Sequence, residues 1–237
     1  LVVETNAGFS ADGKGFRAVA GPGNSGLAAP TSGYVAGASH VGRGGYRTTD
    51  DTRDAGATYG VTYGSIGKPV EPGSGASAYH NDAANLRAVG AGAGGGVVWV
   101  EAANAVTVRG TLTANGGTST TLYGGGGSGG GIYLKCATFG GTVDGLVSAD
   151  GGNPFNNNSG GGAGGSIAVD YQGVDAAHAV RFSTRRATNE WADLSDPKWY
   201  FASQPGTLWL PDGRLLSETI ANGQFTDCSL YGISAWS

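Results

Sequence analysis

The sequence predicts an all-β protein, a parallel β-helix (β-solenoid) with glycine-rich turns and an irregular C-terminal extension or cap. Three observations support this prediction: an internal repeat, short runs of β-branched residues, and a glycine content of 47 in 237 residues. A repeat of a few tens of residues is typical of solenoids, propellers and arrays. The usual share of glycine is about 7%, so the excess needs its own explanation.

The repeat has a period of 35 residues and is carried by two different motifs. A glycine-rich stretch followed by an apolar run begins at Gly92, Gly127 and Gly162. A second motif, a short β-branched run that ends in Asn-Gly-Gly or Asp-Gly-Gly, begins at Gly110 and Gly145. Because both motifs keep the same step, the period belongs to the architecture and not to one chance match.

Each repeat contains short runs that read as strands, since they are rich in β-branched residues and bounded by Gly, Asn or Asp. In the first copy the runs are 97–101, 106–109 and 111–114. Three strands closed by a glycine-rich turn describe one turn of a parallel β-helix, in which equivalent strands pair about 4.8 Å apart. Val97, Ile132 and Ile167 are then expected to stack as an aliphatic ladder in the core.

The glycine tracts have two other interpretations. An isolated Gly/Ser tract is typical of a flexible linker, but these tracts recur in register between apolar runs, which favours tight corners and close backbone approach. A phosphate-binding loop needs a following helix with a Lys-Ser/Thr pair or a ribose-binding acid, and neither follows the tract at 92–96. The sequence thus favours a structural role for these glycines.

Two parts of the chain differ in composition. Residues 1–174 are predicted to form the glycine-rich β-helix, with irregular loops at 16–90 and regular repeats from 91. In residues 175–237 the glycine content falls, which indicates final irregular coils or a capping β extension. The two cysteines, Cys136 and Cys228, are compatible either with a disulfide or with two buried free thiols.

Composition narrows the class of partner and the compartment. The net charge is −4, so the chain has no excess of basic residues, and nucleic acid is not an expected partner. No run of about 18 apolar residues is present, so no membrane span is expected. Charged residues make up only 14% of a chain rich in Thr, Ser, Asn and Gly, which is typical of an extracellular or cell-surface β-protein.

The motifs at 125–134, 145–152 and 161–169 resemble the glycine-rich right-handed parallel β-helices of large secreted and cell-surface proteins. The segments 39–45 and 63–75 are similar to the part that precedes those repeats. The resemblance covers roughly residues 1–172 and implies an architecture more than an activity. The implied fold is distantly similar to pectate lyases, but no calcium-binding or catalytic motif of theirs is matched here.

Candidate catalytic residues lie in the irregular loops, because loops on a rigid scaffold carry most sites. An arginine there could neutralise a uronic acid carboxylate while a basic or phenolic group removes the α-proton, as in a polysaccharide lyase. The alternative is an ordinary turn whose polar side chains bond the local backbone. The candidates are His40, Arg43, Tyr46, Arg47, Tyr79 and His80.

Two further clusters have a functional and a structural interpretation. An aromatic group in the C-terminal part could stack on sugar rings or could cover the end of the core. Its members are Trp191, Trp199 and Tyr200. An acidic group could offer oxygen ligands to calcium, although a solvated turn is favoured because no Asp-x-Asp-x-Asp-Gly loop is present. Its members are Asp50, Asp51 and Asp54.

The leading functional hypothesis is an extracellular structural or surface protein, part of a stalk, filament or adhesin, that also contacts carbohydrate. Its expected partners are a polysaccharide or a second copy bound end to end, and no cofactor or metal is expected apart from the calcium alternative. A polysaccharide lyase or glycoside hydrolase acting on an acidic glycan, and a carbohydrate-binding module, remain as alternatives. The sequence leans away from an enzyme because it contains no complete catalytic signature.

Overall fold

A computed structural model describes residues 1–24, 35–47, 59–78, 90–121, 124–155, 159–188, 200–216 and 223–233. These residues form an all-β protein with no helix in the part described. The strands are β1 (Val2–Val3), β2 (Gly8–Ser10), β3 (Tyr46–Arg47), β4 (Val97–Val108), β5 (Thr111–Thr113), β6 (Gly131–Gly141), β7 (Leu146–Ser148), β8 (Ser166–His178), β9 (Arg181–Ser183), β10 (Tyr200–Phe201), β11 (Gly206–Trp209), β12 (Phe225–Thr226) and β13 (Cys228–Tyr231).

The strands form two parallel sheets and one small antiparallel pair. The larger sheet has the order β1-β4-β6-β8-β11-β13, and the smaller has the order β12-β9-β7-β5-β2. Strands β3 and β10 pair antiparallel outside both sheets. Neighbours in the two large sheets are parallel and joined by crossovers, as in α/β proteins, although the crossovers contain no helix among the described residues.

The two sheets arrange the chain in six layers. Layer 1 holds β1 and β2, layer 2 β4 and β5, layer 3 β6 and β7, layer 4 β8 and β9, layer 5 β11 and β12, and layer 6 β13. In the smaller sheet the register places Leu112, Val147 and Phe182 side by side, which is the 35-residue step of the sequence. Strands of the region after residue 175 extend the same two sheets.

The apolar core lies between the two sheets. From the larger sheet it receives the row Val98, Ile132, Ile167 and Leu208, of which the last three are fully buried. Each such side chain contributes roughly 1.5–3 kcal/mol relative to an exposed position. The layers therefore hold together through apolar rows that run across the strands.

The predicted closed parallel β-helix is wrong. Two open parallel sheets of six and five strands are present, and each repeat supplies one strand to each sheet in place of three strands in a closed turn. The runs 97–101 and 106–109 merge into the single strand β4, whose pairing with β6 shifts register between Ala102 and Ala105. The glycine-rich stretches that should have formed closing turns lie outside the strands and pack on other segments.

The predicted aliphatic ladder was one residue out of register. Val98, not Val97, lies beside Ile132, and Glu101 lies beside Lys135 in the same register. Side chains alternate between the two faces of a strand, so a one-residue shift would move the Glu101 carboxylate into the core. The cost of burying this charge therefore favours the face of β4 that carries Val98 as the inward one.

The glycine-rich stretches form a second packed body, here called the glycine framework, from residues 35–45, 73–78, 91–96, 114–119, 124–131, 149–153 and 160–165. Backbone hydrogen bonds between these segments recur every third residue. Examples are the donor–acceptor pairs Gly92–Gly125, Gly95–Ser128, Gly126–Gly160 and Gly129–Ala163. A period of three matches an extended helix with three residues per turn, as in polyproline II, and not a strand.

The framework needs glycine because its backbones touch directly. A Cβ atom on Gly127 would overlap the carbonyl oxygen of Ala93, and one on Gly162 would overlap that of Gly127. Backbone atoms cannot rotate away from such a clash as a flexible side chain can. The exceptional glycine content thus follows from close backbone packing at many positions.

The second sequence motif also has a structural explanation. The amide of Asn115 donates to the side chain of Asp12 at 2.6 Å, and the amide of Asp150 donates to the side chain of Asn115 at 2.7 Å. The amide of Arg185 donates to Asp150 at 2.8 Å in the same way. One Asx side chain in each of the first three layers therefore accepts from the layer that follows it.

Candidate functional site

His40, the first candidate for catalysis, is fully buried in the glycine framework. Its ring lies edge-on to that of Tyr63, with 4.8 Å between the centroids, and neither ring nitrogen has a hydrogen-bond partner among the described residues. Desolvation lowers the pKa of His40 to about 4, although the nearby Glu71 carboxylate opposes this effect. The side chain is neutral near pH 7 and has no surface at which a polysaccharide could contact it.

The groups around His40 are fixed by hydrogen bonds. The Tyr63 hydroxyl donates to the Pro72 carbonyl at 2.6 Å and shares a 2.8 Å hydrogen bond with Ser74, and burial raises its pKa to about 12. Partial burial raises the pKa of Glu71, but hydrogen bonds donated by Ser65 and Val70 outweigh burial and lower it overall. This arrangement holds the local chain in place, and the titratable groups described beside His40 are engaged in hydrogen bonds.

Arg43 and Tyr46 belong to a different cluster. The Arg43 guanidinium lies 5.0 Å from the centroid of the Tyr59 ring, and the ring of the buried Tyr46 lies 5.4 Å from the same ring. Arg43 is exposed, and its carbonyl accepts from the amide of Gln204 at 2.8 Å. His40 contacts Tyr63 and Arg43 contacts Tyr59, so their described contacts do not form one shared site.

Several predicted site residues lie outside the described residues. These are Asp50, Asp51, Asp54, Tyr79, His80, Trp191 and Trp199. Arg47 and Tyr200 pair through their backbones in β3 and β10, but their side chains are likewise outside the description. In the described ranges, no group of three or more His, Cys, Asp or Glu could hold a metal ion. Cys136 and Cys228 are both free thiols, so they form no disulfide with each other.

A cluster that the sequence did not single out lies on the outer face of the larger sheet, and we call it the Trp99 cluster. Trp99 is 49% exposed, and the Lys68 ammonium lies 4.8 Å from its ring centroid and 5.5 Å from that of Tyr133. The Trp99 indole nitrogen donates to Glu101 at 3.0 Å. The Tyr133 hydroxyl donates to Asp170 at 3.2 Å.

The segment 64–71 crosses the outer face of the sheet and brings Lys68 to this cluster. The Ser166 hydroxyl donates to the Ser65 carbonyl at 3.1 Å, and this hydrogen bond ties the segment to β8. Desolvation and the Asp170 carboxylate raise the pKa of Tyr133. An exposed indole with a cation and two carboxylates beside it can stack on a sugar ring and bond its hydroxyl groups. Side chains alternate between the two faces of β4, and this alternation could have predicted that Trp99 faces outward. The position of Lys68 beside it could not have been predicted from the sequence.

The two ends of the stacked sheets also expose apolar side chains. At the layer 1 end Phe9 is 54% exposed, although its row neighbour Leu112 is fully buried. At the layer 6 end Leu230 is 42% exposed, although its row neighbour Leu208 is fully buried. Both ends therefore present residues of rows that form the core elsewhere.

Comparison with protein-family models, with curated proteins and with solved structures gives no match for this chain. Within the residues that the structure describes, no helix is long and apolar enough to cross a membrane.

Proposed function

We propose that this protein is an extracellular structural component, part of a stalk, filament or adhesin, whose described surface is not built for catalysis. The observation that carries this proposal is the glycine framework. Segments distant in sequence are joined there by backbone hydrogen bonds, and many glycines admit no side chain at all. The composition, low in charge and rich in small polar residues, supports an extracellular setting.

A framework of this kind favours stiffness over chemistry. Glycine loses more conformational freedom on folding than any other residue, so ordering many glycines is costly. Backbone hydrogen bonds and close packing offset that cost only when the segments stay in register. Such a body suits a mechanical or display role, in which shape must be kept outside the cell.

The enzyme alternative has less support from the described residues. A lyase would need a basic group and an arginine on one substrate, yet His40 is buried beside Tyr63 while Arg43 lies over Tyr59. We expect no depolymerisation of acidic polysaccharides, measured by reducing ends and by ultraviolet absorbance of unsaturated products. Turnover that disappears in Arg43→Ala or His40→Ala would contradict the structural proposal.

Carbohydrate contact is a second candidate function, and the Trp99 cluster is the observation that favours it. Two lysines and two carboxylates lie on this face, since Lys135 pairs in register between Glu101 and Asp170. This balance of charge suits a neutral sugar. Trp99→Ala should abolish retention on a neutral glycan column or array.

Phe155→Ala is the matched control for glycan binding, because Phe155 is also 49% exposed but no described contact links it to the cluster. Binding that survives Trp99→Ala, or that falls equally in Phe155→Ala, would rule out this site.

A further inference from the structure

The Lys68 ammonium lies against two aromatic rings of the Trp99 cluster at once. The rings of Trp99 and Tyr133 are perpendicular, at 90°, with 5.7 Å between their centroids. The ammonium is 4.8 Å from the first centroid and 5.5 Å from the second, within the distance at which a ring attracts a cation. We call the place that the ammonium occupies beside these two rings the cation position.

Both rings of the cation position are bonded to carboxylates. Glu101 accepts a hydrogen bond from the Trp99 indole nitrogen at 3.0 Å, and Asp170 accepts one from the Tyr133 hydroxyl at 3.2 Å. A negative acceptor polarises the N–H or O–H that it binds, so each ring becomes a better partner for a positive charge. The rings and the carboxylates therefore act in the same direction.

Lys68 is held weakly at this position. Its side chain is exposed, and among the described residues its ammonium takes part in no ion pair and no side-chain hydrogen bond. The segment that carries it is fixed separately, through the hydrogen bond from Ser166 to the Ser65 carbonyl. The Lys68 side chain can therefore leave the rings while the segment stays in place.

The charges of the cluster leave room for one cation. Lys135 lies in register between Glu101 and Asp170 and balances one of the two carboxylates. Lys68 balances the other. When the Lys68 ammonium moves out to solvent, one negative charge remains beside the rings, and a monovalent cation would neutralise it.

We propose that the Trp99 cluster binds a quaternary ammonium group, which takes the place of the Lys68 ammonium at the cation position. Trp99 and Tyr133 contact its methyl groups, and Glu101 and Asp170 supply the compensating charge. The group belongs either to a free molecule such as choline or to a substituent of a polymer, since both present the same chemistry. This inference goes beyond the contact with a neutral sugar, because it concerns the position that Lys68 fills.

Hydration favours a quaternary ammonium over the lysine that it displaces. A primary ammonium is compact and strongly hydrated, and its three N–H donors find no acceptor on the ring faces. A quaternary ammonium has no N–H donor, so it loses less when water is removed, and its methyl groups bury apolar area against the rings.

A nuclear magnetic resonance titration of the Trp99 indole N–H signal tests the proposal, because this group lies at the site and is bonded to Glu101. Trp99→Phe assigns the signal. Choline chloride is the probe, and dimethylbutanol, its uncharged carbon analogue, is the matched control ligand. At constant ionic strength choline should shift the signal saturably, and dimethylbutanol should bind about tenfold more weakly or less.

Variants of the two lysines separate the cation position from the general charge of this face. Lys68→Ala removes the internal competitor and should tighten choline binding about tenfold, whereas Lys68→Arg keeps a cation beside the rings and should not tighten it. Lys135→Ala removes the same charge without a described ring contact, and its effect should stay below about threefold. Trp99→Ala, measured by calorimetry, should abolish binding.

Three results would overturn the proposal. Equal affinity for choline and dimethylbutanol would show an apolar site, and equal tightening in Lys68→Ala and Lys135→Ala would show a general effect of charge. No saturable shift even in Lys68→Ala would show that the lysine has only a structural contact with the rings. Retention on a neutral glycan that depends on Trp99 would then leave the carbohydrate contact standing without this site.

Dextran that carries trimethylammonium groups, with unsubstituted dextran as its control, identifies the source of the group. Tighter binding of the substituted dextran than of choline, compared per ammonium, supports the site and assigns the group to a polymer. Tighter binding of choline supports the site and assigns the group to a free molecule.

Discussion

In the apolar core of the two sheets, neighbouring layers touch through side chains such as Ile167, whereas in the glycine framework they touch through backbone atoms. The core has strands with a period of two, and the framework has extended segments whose hydrogen bonds recur every three residues. The core excludes water by burying aliphatic area. The framework excludes water because its backbones pack directly against each other.

This difference shows that one repeat can specify two kinds of packing. Within a repeat, the apolar run enters a sheet and the glycine run joins the framework. A core side chain can often be shortened or repacked at moderate cost. A framework glycine has no such freedom, because the atom it meets belongs to another backbone.

The largest expected effect is at Gly127, whose Cβ would overlap the Ala93 carbonyl. Gly127→Ala should lower the free energy of unfolding by about 4 kcal/mol or more, since neither backbone can move aside. Gly173→Ala is the control, because its nearest atom would be 3.8 Å away and its φ is not positive. Urea denaturation measures both; similar values for the two variants would remove the contrast between the regions.

In the core, Ile167→Ala should cost about 3 kcal/mol, from lost apolar burial and from the cavity that remains. Ile167 is fully buried between Ile132 and Leu208. Ile167→Val should recover most of this loss. A core variant that destabilises more than Gly127→Ala would reverse the proposed ranking of the two regions.

His40 should make the framework sensitive to acid. Its pKa is about 4 in the folded protein and near 6.5 in the unfolded chain, so the unfolded state binds more protons between these values. The free energy of unfolding should therefore fall by about 3 kcal/mol as pH drops from 6.5 to 4.

The His40→Leu variant isolates the contribution of His40 to the pH dependence of the free energy of unfolding. It should lose that part of the pH dependence and should be no less stable than wild type at pH 7, because both imidazole nitrogens lack partners. Denaturation midpoints across this pH range compare the two proteins. Parallel pH profiles would show that His40 does not titrate in this way.

The smallest expected effect concerns the Asx side chains that link the layers. Asn115→Ala removes the acceptor of the Ser148 hydroxyl and of the Asp150 amide, and should cost about 1–2 kcal/mol. Asn115→Asp keeps an acceptor, as Asp12 and Asp150 do in their own layers, and should recover stability. If both substitutions cost the same, the side-chain acceptor is not what joins the layers.

Sequence reasoning found the all-β class, the 35-residue step and the neighbouring positions of Ile132 and Ile167 in one apolar row, because these depend on local composition and period. It placed three strands in each repeat where two occur, because 97–101 and 106–109 join across an irregularity that propensity does not reveal. It also missed the one-residue shift at Val98, although the charge of Glu101 indicated that the face of β4 with Val97 and Glu101 points outward.

The glycine framework could not be predicted in the same way. Its contacts join residues 35–45 and 73–78 to the repeats, and nothing in their local sequence encodes those pairings. The burial of His40 follows from these contacts, so a residue that sequence reasoning placed in a reactive loop lies inside the framework. The Trp99 cluster likewise depends on Lys68, which a distant segment carries across the sheet.

Hydrogen exchange of the framework amides, measured by nuclear magnetic resonance under native conditions, tests the central claim most directly. The amides of Gly95, Gly126 and Gly129 should exchange only through global unfolding, with the same free energy as core amides such as that of Leu134. Exchange of the glycine amides through local opening, at a free energy well below that of the core, would contradict the claim that the glycine segments form a rigid framework.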